Sequence, residues 1–304
     1  MKKKLMLLAI CMTLMMLGTA CGSTEQGDEK TSDKIEANDA NDNIDVNGNG
    51  VDGNTDVIDN HDYGVFLGAE PEDTEKMKQY KTIVIEGQAF TKEQVDALKN
   101  EGHIVYSYIN VGAIENYRSY YKEYEKYTLD VYKNWEDERW VDVAQPEWQS
   151  FIIDLAGELK DKDFDGLFVD NLDVYYHYKS DAKFDAITKI LKAFKDYGFY
   201  VSINGGDVYV TECFNRFDAV NDIFDAVNQE TVFSSINWDK KDSFGTQKKS
   251  ETEYFTEYLD EVSRHGVDVY LLEYTTDAEL IKKIESFCNE KGYRYYVSPK
   301  LNLE

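Results

Sequence analysis

Basic residues are scarce in this chain of 304 residues, which holds 33 Lys and Arg against 59 Asp and Glu and has a net charge of −26. Proteins that bind nucleic acid neutralise phosphates with an excess of Lys and Arg. The charge balance therefore argues against a nucleic-acid partner. Hydrophobic residues make up 42% of the chain and aromatic residues 14%, so it is too apolar to be disordered throughout.

Cysteine and histidine are also rare, with four residues of each. Cys213 and Cys288 fall in the globular part, too few for a disulfide framework, and the sequence leaves open whether they pair. The histidines are scattered without metal-binding spacing. The chain contains no G-x-S-x-G elbow and no P-loop, the usual signatures of acyl transfer and nucleotide hydrolysis. We expect neither a metal nor a cofactor.

The first 20 residues are predicted to be a lipoprotein signal peptide. Lys2, Lys3 and Lys4 precede an apolar run over 5–17 that is too short for an ordinary membrane span, and small residues follow. Cys21 resembles the lipid-modified cysteine of a bacterial lipobox, although Leu17 stands four residues before it rather than three. Plain secretion is the alternative. We expect an extracellular protein that is anchored to the bacterial cell membrane through Cys21.

Residues 21–62 are predicted to be a disordered acidic linker, because they contain almost no large apolar side chains. Residues 45–56 follow the order of an EF-hand-type calcium loop, but no helix pattern flanks them, so calcium is the less favoured interpretation. The stretch 22–62 has 12 acidic and 2 basic residues, and with the signal-peptide lysines this leaves a net charge of −19 for 63–304. The globular part is therefore acidic in its own right.

From residue 63 onward, short β-rich runs alternate with amphipathic helical stretches, which is the pattern of parallel βα units. Eight strands are predicted, over 63–67, 82–86, 104–110, 166–170, 200–204, 225–228, 267–273 and 293–297. Thr91 with Gln94 predicts a capping box, and Pro146 predicts the first turn of another helix. Eight such units predict an α/β fold of the (β/α)8 TIM-barrel type over 63–304, with an open doubly wound sheet as the alternative.

Carboxylates are concentrated where the predicted strands end, the face of a TIM barrel that carries active sites. Paired carboxylates are the usual machinery of glycoside hydrolysis, although any single Asp can instead cap a loop or helix. The loop from Val111 to Gln145 is rich in Tyr and Trp. Its rings are expected either to stack on sugar faces or to pack on one another over the barrel mouth.

Several stretches in barrel order carry a family resemblance. They are Tyr108–Arg118, Trp140–Asp142, Pro146–Gln149, Phe164–Tyr175, Val227–Glu230 and Leu272–Tyr274. With these landmarks the chain resembles glycoside hydrolase family 114, the endo-α-1,4-polygalactosaminidase group that includes spherulin-4-like proteins. The likeness covers 63–304, and its fourth-strand stretch is the most specific.

The resemblance implies that Asp170 and Glu230 are the catalytic pair. We assign Asp170 as nucleophile or charge-stabilising carboxylate and Glu230 as proton donor and later base. Further side chains are implied to line the sugar subsites. They are Glu86, Tyr108, Glu115, Arg118, Asp142, Asp173, Tyr175, Asn204, Glu273 and Tyr274. Glu86 stands where the family often has Asp, which leaves its contact undefined.

The resulting hypothesis is a monomeric extracellular endo-glycosidase that acts on an amino-sugar polysaccharide, an α-1,4-linked galactosamine polymer. Unacetylated galactosamine is cationic, so an acidic cleft would attract it, whereas the charge could alternatively serve only solubility. Two other functions stay open at this point. One is a non-catalytic carbohydrate-binding lipoprotein, and the other is a hydrolase of the same fold that acts on a different glycan.

Overall fold

Eight parallel strands form the centre of the structure, and each pairs with the next along the chain. A computed structural model of the chain describes residues 62–72 and 74–304. The predicted signal peptide, Cys21, the linker up to residue 61 and the candidate calcium loop therefore lie outside the described residues. The strands are β1 (Tyr63–Phe66), β2 (Thr82–Ile85), β3 (Ile104–Asn110), β4 (Gly166–Asp170), β5 (Tyr200–Asn204), β6 (Ala226–Glu230), β7 (Asp268–Tyr274) and β8 (Arg294–Ser298).

The strands curve into a nearly closed barrel. Their order in the sheet is the order of the sequence, and β1 lies against β8. Phe66 of β1 packs on Tyr296 of β8 with ring centroids 5.4 Å apart. A doubly wound sheet has a reversal of strand order and two free edges. The predicted TIM barrel is thus confirmed, and the open-sheet alternative is wrong.

Six long helices cover the barrel in the described part of the chain. They are α1 (Lys92–Asn100), α2 (Pro146–Asp161), α3 (Asp181–Asp196), α4 (Asp207–Arg216), α5 (Lys249–Arg264) and α6 (Ala278–Lys291). The capping box of Thr91 and Gln94 is present, and Pro146 occupies the first turn of α2. No helix among the described residues is both long and apolar enough to cross a membrane.

The β1–β2 connection departs from the predicted eightfold strand–helix alternation. It contains a single 3-10 turn at Glu75–Met77, and Met77 is that turn's one buried residue. Pro71 and a run of charged residues occupy this connection. A helix needs an apolar stripe to pack against a barrel. This segment has no such stripe, so it passes over the barrel as a loop.

Tyrosine rings fill the barrel interior near the N-terminal ends of the strands. Tyr106 stacks on Tyr200 at 5.4 Å, and Tyr63 packs on Tyr270 at 4.7 Å. Side chains two residues apart on a strand share a face. Tyr106 and Tyr108 on β3 therefore both point inward, with Tyr108 nearer the C-terminal mouth. The aromatic layer forms the floor beneath the strand-end carboxylates.

The loop after β3 folds into a small antiparallel sheet from three strands, Ala113–Glu115, Thr128–Val131 and Glu138–Val141. Tyr124 stacks on Phe151 of α2, and Tyr132 packs on Trp140, each at 4.4 Å. These rings therefore pack on one another, which was the alternative to stacking on sugar faces.

Cys213 and Cys288 are both buried and both free. The two thiols do not form a disulfide, which settles the pairing that the sequence left open. No disulfide therefore links the described residues, as expected for a barrel of this size.

Gly112 is required where the β3 loop crosses the β4 loop, because an added Cβ would lie 1.7 Å from the Asn171 carbonyl oxygen. We expect Gly112→Ala to lower the free energy of unfolding by about 1 to 3 kcal/mol, since backbone must move. Chemical denaturation would measure this loss. Gly157→Ala is the control: it meets only the end of the Tyr197 side chain and should be neutral or stabilising in the α2 interior. Equal stability of both variants would contradict the prediction.

Candidate active site

Asp170 and Glu230 end strands β4 and β6, and both are fully buried. Asn204 ends β5, the strand between them. Its amide nitrogen Nδ2 donates to Asp170 Oδ1 at 2.9 Å and to Glu230 Oε1 at 2.8 Å. The structure therefore brings the two predicted catalytic carboxylates together, with one amide group between them.

The shared donor limits the distance between the two carboxyl groups. Both acceptor oxygens bond to one nitrogen, whose two N–H bonds diverge by roughly 120°, so these oxygens are about 5 Å apart. Carboxyl groups in retaining glycosidases are about 5 to 5.5 Å apart, and those in inverting enzymes about 6.5 to 9.5 Å. The distance between the two bridged oxygens is thus closer to the retaining range than to the inverting range.

Two further tyrosines and a relay of side chains hold the pair. The hydroxyl of Tyr108 donates to Asp170 Oδ2 at 3.1 Å, and that of Tyr274 donates to Glu230 Oε2 at 2.9 Å. Asn228 donates to Asn204 Oδ1 at 2.7 Å and accepts from the Tyr63 hydroxyl at 3.1 Å. Because Asn204 Oδ1 accepts from Asn228, the Asn204 nitrogen must face the carboxylates.

Burial sets the acidity of both carboxyl groups. Loss of solvation raises the pKa of Asp170 to about 7, against the opposing hydrogen bonds from Asn204, the Asn171 backbone and Tyr108. Burial also raises the pKa of Glu230 well above its ordinary value, and the negative charge of Asp170 adds to the effect. Carboxyl groups tuned in this way perform acid–base work near neutral pH.

The backbone turns sharply directly after each of the two carboxylates. Asn171 has φ 65° and Thr231 has φ 55°. Asparagine tolerates this left-handed region, but a β-branched residue such as threonine is strained there at a cost of about 1 kcal/mol or more. Such strain is typical of residues that aim a functional side chain.

Arg118 joins Glu86 and Glu115 in a buried ion cluster beside the pair. Its guanidinium binds Glu115 through Nε and Nη2, both at 3.0 Å, and binds Glu86 through Nη2 at 2.9 Å. All three side chains are buried. Three of the predicted subsite residues thus lie together, and the extra methylene of Glu86 lets its carboxylate reach Arg118.

Glu138 was not among the candidates from the sequence, yet it lies in the same region. Its Oε1 accepts from Asn110 at 2.6 Å and from Asn171 at 2.8 Å. Burial raises its pKa well above the ordinary value, and Glu115 and Asp170 raise it further. The strand that carries Glu138 (Glu138–Val141) lies within the segment Val111–Gln145, which the sequence predicts to be a loop. The spacing of Glu138 and Trp140, which are both buried, is the signal that could have revealed it.

Glu273 and Asp173 hold the loops around the mouth. Glu273 accepts from the backbone of Phe233 and Ser234 at 2.9 and 2.8 Å and from the Ser234 hydroxyl. Burial raises its pKa to about 7. Asp173 accepts from the backbone of Gly206, which has φ 66°, at 3.2 Å. Both carboxylates thus fix the loops that follow β5 and β6.

Asp142 and Tyr175 make contacts outside this network. Asp142 pairs with Lys183 at 2.8 Å and accepts from Gln145 at 2.6 Å, next to the start of α2. Tyr175 is buried against Phe184 and Tyr209, with ring centroids 5.8 and 6.1 Å away. The structure thus places Asp142 in a partly buried ion pair and Tyr175 in the packing between helices.

No group of three or more His, Cys, Asp or Glu side chains is arranged to hold a metal ion within 62–72 and 74–304.

Comparison with known proteins identifies the family. The family model for glycoside hydrolase family GH114 matches residues 54–301. This chain belongs to GH114. Its fold is similar to the glycoside hydrolase domain of PelA from Pseudomonas aeruginosa, with a TM-score of 0.65 and 17% identity over 79% of this chain and 95% of that one.

A second solved structure, Ega3 from Aspergillus fumigatus in complex with galactosamine, has a TM-score of 0.64 and 14% identity, covering 81% of this chain and 93% of that one. At these identities the likeness shows the fold. An uncharacterised protein of Methanocaldococcus jannaschii is 24% identical over 232 residues, which span 69% of this chain and 65% of the relative. The chain thus spans less than two thirds of that relative's length.

The buried Asp170 of this GH114 protein should destabilise the fold at neutral pH. Because its pKa is about 7 when folded and ordinarily 3.8, the folded state binds the proton more tightly, and stability falls as pH rises between these values. We expect Asp170→Asn to raise Tm at pH 8, where it should raise the free energy of unfolding by up to a few kcal/mol. The gain at pH 4 should be smaller.

Thermal unfolding at both pH values would measure this difference. Asp218→Asn, at an exposed position, makes the same charge change and should leave Tm nearly unchanged. An Asp170→Asn protein that is less stable than the wild type at pH 8 would show that the carboxylate is stabilising instead.

Proposed function

We propose that this GH114 protein is an endo-glycosidase that hydrolyses an α-1,4-linked galactosamine polysaccharide. The observation that carries the proposal is the pair of buried carboxylates, Asp170 and Glu230, bridged by the Asn204 amide at the C-terminal ends of the strands. The galactosamine bound to the structurally similar Ega3 supports an amino sugar as the substrate.

The spacing of the pair supports a two-step, retaining reaction. In the first step Asp170 attacks the anomeric carbon while Glu230 gives its proton to the glycosidic oxygen, so the chain end leaves as an alcohol. In the second step Glu230 takes a proton from water, whose oxygen displaces Asp170 from the sugar. The raised pKa of Glu230 suits a group that must hold a proton before the first step.

The balance of buried charge supports a cationic substrate. Eight carboxylate residues but only one arginine, Arg118, are buried among the described residues. Buried charges are costly unless they are paired. The ammonium groups of an unacetylated galactosamine chain would supply the missing positive charge.

The N-terminal sequence supports a site of action outside the cell. Three lysines, an apolar run and Cys21 form the pattern of a lipoprotein signal. We propose that the mature protein is a monomer that is held at the bacterial membrane through a lipid on Cys21. In this position the acidic linker 21–62 would tether the barrel outside the cell.

Incubation of the purified protein with partially deacetylated α-1,4-galactosamine polymer should release oligosaccharides. Asp170→Asn and Glu230→Gln should each lower the rate at least about a hundredfold, because each removes a catalytic carboxyl group. Chromatography of the products measures the rate, with Asp218→Asn as the charge-matched control. Absence of release from every amino-sugar polymer, or full activity in both catalytic variants, would refute the proposal.

The stereochemistry of the first product should be retained. Proton NMR recorded early in the reaction, before mutarotation, should show the α-anomer at the new reducing end, because two displacements restore the configuration. First appearance of the β-anomer would show single displacement and contradict the role of Asp170 as nucleophile.

A further inference from the structure

Glu138 has one carboxylate oxygen without a donor. Asn110 and Asn171 both donate to Oε1. No residue in the described ranges donates to Oε2. The side chain is nevertheless 3% exposed. This second oxygen can therefore accept a hydrogen bond from a bound group.

A second acceptor without a donor belongs to the neighbouring Asn171. This residue is fully buried, and among the described residues no group donates to its Oδ1. Its orientation is set by its surroundings: the Ala113 backbone donates to Asn110 Oδ1, which also accepts from Asn171 Nδ2 at 3.1 Å. An amide flip would break this chain, so Oδ1 remains an acceptor.

The nearest positive charge does not serve these acceptors. The guanidinium of Arg118 donates to Glu86 and Glu115. Glu115 lies directly opposite Glu138 in the small loop sheet, so the local environment of Glu138 is negative. What the site lacks is therefore a cation with hydrogen-bond donors. An ammonium group has both properties, with three donors.

The position of these acceptors points to one part of a substrate. Asn171 follows Asp170 directly, and Asn110 is the register partner of Asp170 on β3. In an amino sugar, the nitrogen is attached to C2, the carbon next to the anomeric carbon that Asp170 would attack. A sugar placed for that attack would thus carry its amino group beside Asp170.

We propose that Glu138 Oε2 and Asn171 Oδ1 bind the C2 ammonium group of the sugar whose glycosidic bond is cut. Glu138 is then the residue that selects unacetylated over N-acetylated sugars at this position, since an N-acetyl group is neutral and larger. This inference rests on the proposed hydrolysis of an amino-sugar chain, and it adds which residue reads the amino group.

Proton release would accompany binding. Glu115 and Asp170 face Glu138 and raise its pKa beyond the effect of burial, whereas Asn110 and Arg118 lower it. Asn171, Tyr108 and Tyr117 also face this carboxyl group. The free carboxyl group therefore holds its proton to a higher pH than an ordinary glutamate. A bound ammonium favours the ionised form, so the proton would leave on binding, and binding would weaken as pH falls.

Glu138→Gln tests the proposal, because glutamine keeps an acceptor for Asn110 and Asn171 but removes the charge. With fully deacetylated galactosamine oligomer, we expect kcat/KM to fall at least about tenfold, the loss expected for a charge-assisted hydrogen bond. With fully N-acetylated oligomer it should stay within about twofold of its wild-type value. Glu136→Gln, two residues earlier and exposed, makes the same charge change and should alter neither.

Calorimetry of deacetylated oligomer binding in two buffers of different ionisation enthalpy would detect the released proton without requiring turnover. The wild type should release a proton, and Glu138→Gln should not. Equal loss on both oligomers, or unchanged kcat/KM and proton release in the variant, would overturn the role of Glu138 while leaving the hydrolase proposal intact. A wild-type protein that neither binds nor cleaves deacetylated oligomer would refute both.

Discussion

The amide nitrogen of Asn204 holds two fully buried carboxylates, and the rest of the site depends on this contact. Two negative groups about 5 Å apart in a dry interior repel each other, and a single donor between them offsets part of that cost. The donor is itself oriented through Asn228 and Tyr63. The spacing of the pair is therefore determined by three neighbouring strands and by a tyrosine from the barrel floor.

The barrel accepts an unfavourable concentration of negative charge at its mouth. Asp170, Glu230, Glu138 and Glu273 all have raised pKa values because they are buried. A protein selected only for stability would replace such groups with apolar ones. The strained left-handed Thr231 directly after Glu230 has the same character. Both features indicate that the core tolerates lower stability in order to keep reactive carboxyl groups in place.

Positively charged side chains are used sparingly around this site. Arg118 neutralises part of the charge of Glu86 and Glu115, and the remaining carboxylates depend on amides and phenols as hydrogen-bond donors. A cationic sugar would complete the charge balance that the protein leaves open. Under the proposed function, the carboxylates at the barrel mouth and the acidic composition of the chain would both favour a cationic substrate.

The barrel could be predicted from the periodicity of hydrophobic residues, because each strand and amphipathic helix is determined by residues that are close together in the chain. The positions of Asp170 and Glu230 at strand ends followed from that pattern and from family resemblance. The β1–β2 connection has no α-helix among its described residues because these residues lack an apolar stripe. The packed rings of the β3 loop, by contrast, depend on contacts with distant segments such as α2. Likewise, only the tertiary structure shows that Asn204 bridges the pair and that Glu138 lies near it on a strand of the loop sheet. It also shows that Asp142 and Tyr175 contact Lys183 and Phe184 instead. These facts arise from side chains separated by dozens of residues, whose meeting is determined by strand register and loop packing rather than by local sequence.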